Sequence, residues 1–217
     1  YTYTEPTVWW EFARDVGCLA HERGLANILV TNGYQTPAAV ASMKGVIDAA
    51  NVDLKSWSDS FYREMCGGRL GPVLDTIQAI HLAGIHLEIT TLLIPARNDS
   101  ECEVRQIAEF IAGLSPDIPW HVTRFHPVHQ LPHVDETPVD TIERTLEIGR
   151  EAGLRYVYAG NVPGAAADTR CWQCGALLIQ RRDTAIEVTG LEGSRCARCG
   201  KKQSVVRRPA WLPHCVE

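Results

Sequence analysis

The stretch Leu87-Glu88-Ile89-Thr90-Thr91-Leu92-Leu93-Ile94 decides the fold class. It is rich in aliphatic and β-branched side chains and is bounded by Gly84 before it and Pro95 after it, so it reads as a strand. Residues 70–83 and 100–113 on either side carry apolar side chains at three- and four-residue spacing, which predicts helices. Working outward, the same kind of short apolar run recurs at Ile28-Leu29-Val30, Val52-Asp53-Leu54, His121-Val122-Thr123-Arg124-Phe125 and Arg155-Tyr156-Val157-Tyr158. The starts of these runs lie 24, 35, 34 and 34 residues apart. Helical patterns fill the remaining gaps. Residues 8–23 place Val8, Phe12, Val16, Leu19 and Ala20 on one stripe, Thr36-Pro37 reads as N-cap and first turn of a helix through Ala50, and residues 138–152 repeat the apolar spacing. Gly24, Gly84, Gly113 and Gly153 read as helix C-caps. Strand alternating with helix at this spacing predicts an α/β protein with a parallel sheet, wound as an open or closed barrel. A solenoid of similar period is disfavoured because the units share no residue signature.

The chain has 217 residues, 45% of them hydrophobic and 22% charged, with a formal net charge of −5. That balance excludes wholesale disorder and gives no basic field to recruit nucleic acid. Lys201, Lys202, Arg207 and Arg208 form a short basic tail that reads as a solvated edge. No apolar run is long enough to span a bilayer, and no secretory leader pattern is visible, so a cytoplasmic, membrane-free protein is expected. The first residue is Tyr1.

Four of the eight cysteines form a doubled pattern, Cys171-x2-Cys174 and, after 21 residues, Cys196-x2-Cys199. Gly175 and Gly200 follow the two pairs and permit the tight turns that aim two thiolates at one metal. The pattern predicts a closed four-thiolate zinc site that stabilises rather than catalyses. Disulfides are the alternative, disfavoured in a reducing compartment. A small-residue stretch at residues 163–167 suggests a boundary between residues 1–163 and a ribbon-like segment at residues 164–217. Cys18, Cys66, Cys102 and Cys215 are scattered and read as small buried apolar residues.

Barrel chemistry sits at the C-terminal ends of the strands, and here those ends are polar. Thr31-Asn32-Gly33-Tyr34 follows the first run, and Asp53 and Lys55 share one side of the second. Pro95-Ala96-Arg97-Asn98-Asp99 follows the third, Arg124-Phe125-His126-Pro127 closes the fourth, and Asn161 follows the fifth. Glu5 stands near the start. An Asp–Lys pair is usually only an ion pair. In a barrel mouth it offers a carboxylate and an ammonium to a zwitterion or a ribose. His121, His126, His129 and His133 crowd one segment, but no carboxylate-bracketed ligand motif accompanies them, so one functional histidine among solvent-exposed ones is the favoured reading over a second metal site.

Taken in order, YTYTEPT, VTNGY, VDLKSW, FYREMCGG, TTLLIPARND, RFHPVHQ, YVYAGNVPG and the terminal CWQCG and CARCG resemble the radical SAM superfamily. The ordered set is most similar to the AmmeMemoRadiSam system radical SAM enzymes, relatives of the pyruvate formate-lyase activating enzymes. The resemblance implies a partial (βα)6 barrel in which S-adenosylmethionine caps a 4Fe–4S cluster. It implies that Glu5 lies near the methionine amine, that Thr31 and Asn32 form the cofactor turn, that Asp53 and Lys55 bind the cofactor's polar groups, and that His126 reaches it. Reductive cleavage to a 5′-deoxyadenosyl radical, hydrogen abstraction from a substrate that includes a protein glycyl site as one candidate, and an electron donor follow from the same resemblance. Val30 departs from the Asp that activating enzymes commonly carry before Thr-Asn-Gly.

The family's CxxxCxxC cluster motif occurs nowhere in the 217 residues. The expectation is therefore a chain that starts at the end of the second barrel strand, lacks the first βα unit, binds zinc at its ribbon, and by itself is inactive and poorly soluble. The competing readings are a zinc-ribbon interaction module on an α/β scaffold without cluster chemistry, and a barrel enzyme using a metal at the histidine-rich loop.

Overall fold

The computed structural model describes residues 1–162, 168–182 and 185–205. The expected linker at residues 163–167, Arg207, Arg208 and Cys215 lie outside the described residues. After a 3-10 turn at Pro6–Trp9 the chain runs α1 (Trp10–Glu22), β1 (Ile28–Thr31), α2 (Pro37–Met43), β2 (Ala49–Asp53) and α3 (Asp59–Phe61), which continues into a π turn at Tyr62–Cys66. There follow α4 (Leu70–Leu82), β3 (His86–Leu93), α5 (Glu101–Leu114), β4 (Trp120–Arg124), α6 (Val139–Glu151) and β5 (Val157–Gly160).

These five strands form one parallel sheet in sequential order, β1-β2-β3-β4-β5. Tyr1 extends the β1 edge, donating its amino group to the Ile28 carbonyl at 2.7 Å and accepting from the Val30 amide at 2.9 Å. Period-two alternation splits the sheet into two faces. Leu29, Val52, Ile89 and Val122 are fully buried under the helices. Asn51, Asp53, Glu88, Thr90, His121 and Tyr158, one residue out of step, line a half-open face. A doubly wound sheet would have helices on both faces. Here one face is left for chemistry.

The covered face is tied together at its deepest point. Trp120 is fully buried, and its Nε1 donates to Thr91 Oγ1 at 3.0 Å, while Thr91 Oγ1 donates to the Leu54 carbonyl at 2.8 Å. One hydroxyl thus satisfies an indole N–H and a strand-end carbonyl that would otherwise be stranded without water. Gly149 lets α6 approach the ring. A Cβ there would stand 3.1 Å from Trp120 and 3.1 Å from Val157 Cγ2.

The structure departs from the sequence reading at three helices and at three of the scattered cysteines: Cys18, Cys66 and Cys102 are exposed rather than buried, each on the solvent side of a helical segment. Val8, in the 3-10 turn (74% exposed), and Phe12 (65%) and Leu19 (51%) of α1 face solvent, and the packed side of α1 is Trp10, Ala13 and Gly17. The small residues win because α1 lies close to its neighbours: a Cβ on Gly17 would meet Val46 Cγ1 at 2.8 Å. Helix α2 stops at Met43 rather than Ala50, because Gly45 turns the chain at φ +82° and Ala49 and Ala50 enter β2. The Thr36 cap is as read, with Oγ1 accepting from the Ala39 amide at 3.2 Å. Gly113 is an interior residue of α5 and not its cap, whereas Gly24, Gly84 and Gly153 all adopt positive φ.

After β5 come β6 (Thr169–Arg170), β7 (Leu177–Arg182) and β8 (Ala185–Val188), an antiparallel three-stranded sheet, then β9 (Leu191–Glu192) paired with β10 (Arg195–Cys196). This segment packs on the start of β5. Arg155 lies 4.0 Å over the Trp172 ring and bonds Asp117 at 2.8 Å, and the Ser204 amide donates to Tyr156 Oη at 2.9 Å.

Gly149→Ala sets two effects against each other. Alanine improves helix propensity by about 1 kcal/mol, but overpacking a filled core costs about 1–3 kcal/mol. Trp120 cannot retreat without breaking its bond to Thr91, so the variant should be less stable, by about 1 kcal/mol net, with a lower urea midpoint at unchanged slope.

Candidate functional site

The loop after β1 is organised by Glu5. Its Oε1 accepts from Thr31 Oγ1 at 2.7 Å and from Thr7 Oγ1 at 2.6 Å, and its Oε2 accepts from the Asn32 amide at 2.8 Å. Gly33 makes the turn at φ +72°, and a Cβ there would sit 2.7 Å from Val52 Cγ1. Asn32 Oδ1 is engaged by the Tyr34 amide at 2.8 Å. Gln35 Nε2 donates to Thr7 and Thr31, and Gln35 Oε1 is buried with no partner among the described residues. Glu5, Thr31 and Asn32, far apart in sequence, are thus one hydrogen-bonded unit.

The adjacent strand end carries Asp53 and Lys55, paired at 3.0 Å with both side chains about one-third exposed (34% and 39%). The backbone beneath Lys55 is clamped on two sides. Its amide donates to Tyr62 Oη at 3.0 Å, and burial pushes that phenol well above its usual range. Its carbonyl accepts from Asn98 Nδ2 at 2.6 Å. Asn98, 1% exposed, also donates to the Leu92 carbonyl at 2.8 Å and accepts from the Ile94 amide at 2.7 Å. One amide side chain therefore stitches the end of β2 to the end of β3. In the sequence nothing local distinguishes Asn98, after the third strand, from any loop asparagine.

His126 sits on the loop after β4. Its imidazole contacts Glu136, whose other oxygen takes Arg124 at 2.6 Å, and Arg124 Nε donates to the Thr137 carbonyl at 2.6 Å. Sheet order puts the end of β4 two strands from Asp53 and three from Asn32. At about 4.8 Å per strand that is about 10 and 14 Å. The candidate residues lie along one edge of the sheet, in three groups, with Glu5, Thr31 and Asn32 at one end and His126 at the other.

The histidine-rich segment does not gather. His129 and His133 are exposed, and His121 points to the open face of the sheet. There it meets partners the sequence reading missed. His121 Nε2 and Glu88 Oε2 lie 2.6 Å apart, and His86 Nε2 and Glu88 Oε1 lie 3.2 Å apart. The hydrogen bonds from His121 and, less strongly, His86 hold the Glu88 carboxyl down at about 2. His121 also stacks on Tyr158 at 5.3 Å. Only strand register brings these residues together, so no sequence spacing signals them.

Cys171, Cys174, Cys196 and Cys199 converge, with all four sulfurs within 4.8 Å of one another. The Cys171–Cys199 and Cys174–Cys196 sulfurs are 3.6 and 3.7 Å apart. A disulfide needs about 2.05 Å, whereas four sulfurs about 2.3 Å from a tetrahedral centre stand about 3.8 Å apart. Burial opposes ionisation of Cys171, but the amides of Cys174 and Gln173 and the Cys199 thiol outweigh it and hold the group at about 7. Gln203 Nε2 donates to Cys171 Sγ at 3.3 Å, and Gln203 Oε1 accepts from Tyr156 Oη at 3.4 Å, which links the metal candidate to the parallel sheet.

Two outcomes are expected here. Cys174→Ser should remove the stoichiometric metal found by elemental analysis and lower the melting temperature, and a chelator should do the same to the parent chain. Glu88 contributes stability above its ordinary value of 4.5 and loses it as the pH falls towards about 2. Glu88→Gln should therefore lower stability at neutral pH and flatten the dependence of the urea midpoint on pH across that acid window.

The model of the radical SAM superfamily matches residues 1–111, about half of the chain. An uncharacterised protein of Methanocaldococcus jannaschii is 40% identical over 210 residues, which is 95% of this chain and 62% of that protein. The benzylsuccinate synthase activating enzyme of Thauera aromatica is 25% identical over 173 residues, 73% of this chain and 52% of that enzyme. The chain thus spans less than two thirds of the length of either curated relative. Among solved structures, a domain of the pyruvate-formate lyase-activating enzyme from Bacteroides vulgatus shares the fold at a TM-score of 0.64 and 21% identity, over 74% of this chain and 97% of that domain. The polar strand-end edge, with Glu5, Asn32, Asp53 and Lys55, falls within the matched residues, and the chain belongs to the radical SAM superfamily.

Proposed function

We propose that the C-terminal edge of β1–β4 is an S-adenosylmethionine site, on the arc of a partial (βα)6 barrel. The observation that carries this is the Asp53–Lys55 pair, held at 3.0 Å on a backbone clamped by Tyr62 and Asn98, beside the Glu5–Asn32 turn. The donor set fits the molecule. A methionine zwitterion needs a cation for its carboxylate and an anion for its ammonium, and a ribose needs acceptors for its hydroxyls. Lys55 supplies the first, Glu5 the second, and Asp53 and Asn32 the third. His126, fixed by Glu136, orients the far end of the cofactor.

S-adenosylmethionine and a 4Fe–4S cluster, when bound, supply reductive cleavage and hydrogen abstraction. Of the described cysteines, Cys66 lies near Lys55, and a single thiol falls short of a cluster's ligand set. The four-cysteine group lies against β5 through Gln203 and Tyr156. We therefore assign no cluster ligand in this chain, and these 217 residues alone bind the cofactor without cleaving it. In the whole protein the substrate is a protein glycyl site, a reading supported by the similarity to activating enzymes, and an external electron donor feeds the cluster. The four-cysteine group holds a structural zinc. Its sulfur spacing supports a tetrahedral centre with no open position.

Binding of S-adenosylmethionine to the 217-residue chain by calorimetry tests the cofactor reading. Lys55→Ala should weaken it about tenfold or more, the loss of a charged hydrogen bond, and Asp53→Asn should weaken it less. A chain that melts cooperatively and does not bind the cofactor would overturn the assignment.

A further inference from the structure

The two Cys-x2-Cys turns are built alike. Arg170 precedes Cys171, and its Nη1 donates to the Gly175 carbonyl at 3.3 Å. Arg195 precedes Cys196, and its Nη1 donates to the Gly200 carbonyl at 2.9 Å. The Gly175 and Gly200 amides return to the Cys171 and Cys196 carbonyls, each at 2.8 Å. The Cys171 amide donates to the Ala176 carbonyl at 2.8 Å, and the Cys196 amide to the Lys201 carbonyl at 3.0 Å. Cys171 and Cys196 are therefore equivalent positions, and both are buried, at 3% and 1% exposure. One side chain breaks the equivalence.

Gln203 is 2% exposed, and its Nε2 lies 3.3 Å from Cys171 Sγ. The same nitrogen donates to the Lys201 carbonyl at 3.0 Å. A carbonyl only accepts, so that contact fixes which end of the side-chain amide is nitrogen. With one N–H on Lys201, the other faces the sulfur. The opposite end, Oε1, lies 3.4 Å from Tyr156 Oη, which accepts from the Ser204 amide at 2.9 Å. The backbone beneath is held as well. The Gln203 amide donates to the Ser194 carbonyl at 2.8 Å, next to the Arg195–Lys202 bridge. Gln203 thus stands on the second turn and reaches the sulfur of the first. Cys196, the equivalent position, has no side-chain N–H donor among the described residues.

We propose that Gln203 is a positioning residue of the four-sulfur centre, donating an N–H to the Cys171 thiolate of the metal-loaded chain. The donor role rests on the reading that the four cysteines hold a divalent ion. Four thiolates around such an ion leave net negative charge on a site whose first cysteine in each pair is almost fully withdrawn from water. Buried charge needs hydrogen-bond donors. The amides of Gln173 and Cys174 supply them at Cys171, and Gln203 adds a donor from a distant part of the chain. An N–H aimed at a thiolate lowers its lone pairs in energy, so Cys171 gives less charge to the metal than Cys196 does. Outer hydrogen bonds of this kind orient metal ligands and tune the metal. Because the far end of the same amide meets Tyr156, one side chain touches both the metal centre and the parallel sheet.

The probe is cobalt(II), loaded in place of zinc in the full chain under reducing conditions and followed by its sulfur-to-cobalt charge-transfer band. Gln203→Met keeps the bulk of the side chain and removes the N–H. The freed sulfur lone pairs rise in energy, so the band should move to longer wavelength. Cobalt should also bind about tenfold more weakly in competition with a chelator, the scale for losing an outer hydrogen bond. Tyr156→Phe removes the hydroxyl at the other end and leaves the N–H on the sulfur, so its band should stay at the parent position. Melting temperatures of the same samples separate the two roles. If Gln203 only packs the segment on the sheet, both variants melt lower and neither moves the band, which overturns the proposal. So does a shift as large in Tyr156→Phe as in Gln203→Met. Gln203→Glu has the same shape but sets an oxygen against the thiolate, and it guards against a defect of shape. It should weaken cobalt more than Gln203→Met does, and parent-like binding would overturn the proposal. A parent chain that takes up no cobalt overturns the metal reading and this donor role together. A chain that takes it up with a band indifferent to Gln203 overturns the donor role alone.

Discussion

Side chains alternate across a strand, so a parallel sheet that covers one face with helices must leave every second residue on the other. That constraint organises this molecule. The helix-covered face takes the aliphatic residues and Trp120, and the open face takes Asn51, Asp53, Glu88, Thr90 and His121. Polar groups half withdrawn from water must find partners or lose hydration. On the open face they find one another across the register: Thr90 donates to Asn51 at 2.7 Å, Lys55 meets Asp53, and two imidazoles close on Glu88. The same satisfaction that stabilises the sheet gives it fixed charges and donors.

The covered face in turn holds the strand ends in place. Thr91 takes the Trp120 indole and the Leu54 carbonyl, and Asn98 takes the Lys55 and Leu92 carbonyls together with the Ile94 amide. These buried groups have no water to fall back on, so each bond is costly to lose. Lys55 therefore extends from a backbone with little freedom, which is what a residue needs if it is to orient a cofactor rather than merely attract it.

The four-cysteine segment is more than an appendage in this arrangement. Its Cys171 sulfur is linked through Gln203 to Tyr156 just before β5, and the Trp172 ring carries Arg155 at 4.0 Å and Lys201 at 5.0 Å. Its β7 strand places Ile179 and Arg181 beside the open face of the parallel sheet, with the Arg181 guanidinium 5.7 Å over the Tyr158 ring.

Much of this was legible in the residues. Five apolar runs at steady spacing determined a parallel α/β sheet, because alternating strands and helices can bury both periodicities in no other simple way. The doubled Cys-x2-Cys with its glycines determined a four-sulfur cluster, since ligands three positions apart need only a local turn. The Asp53–Lys55 pair was legible for the same reason: residues two apart on a strand always share a face. Exposure was not legible where packing overrode periodicity. The stripe of Val8, Phe12 and Leu19 promised a buried face, yet the close approach at Gly17 turned the small residues of α1 inward. Only the tertiary structure decided which distant groups meet: His86 and His121 at Glu88, Asn98 at Lys55, Arg181 over Tyr158. Sequence sets what each strand can offer on each face, but register and strand order, summed over the whole hydrophobic core, set which offers stand opposite one another.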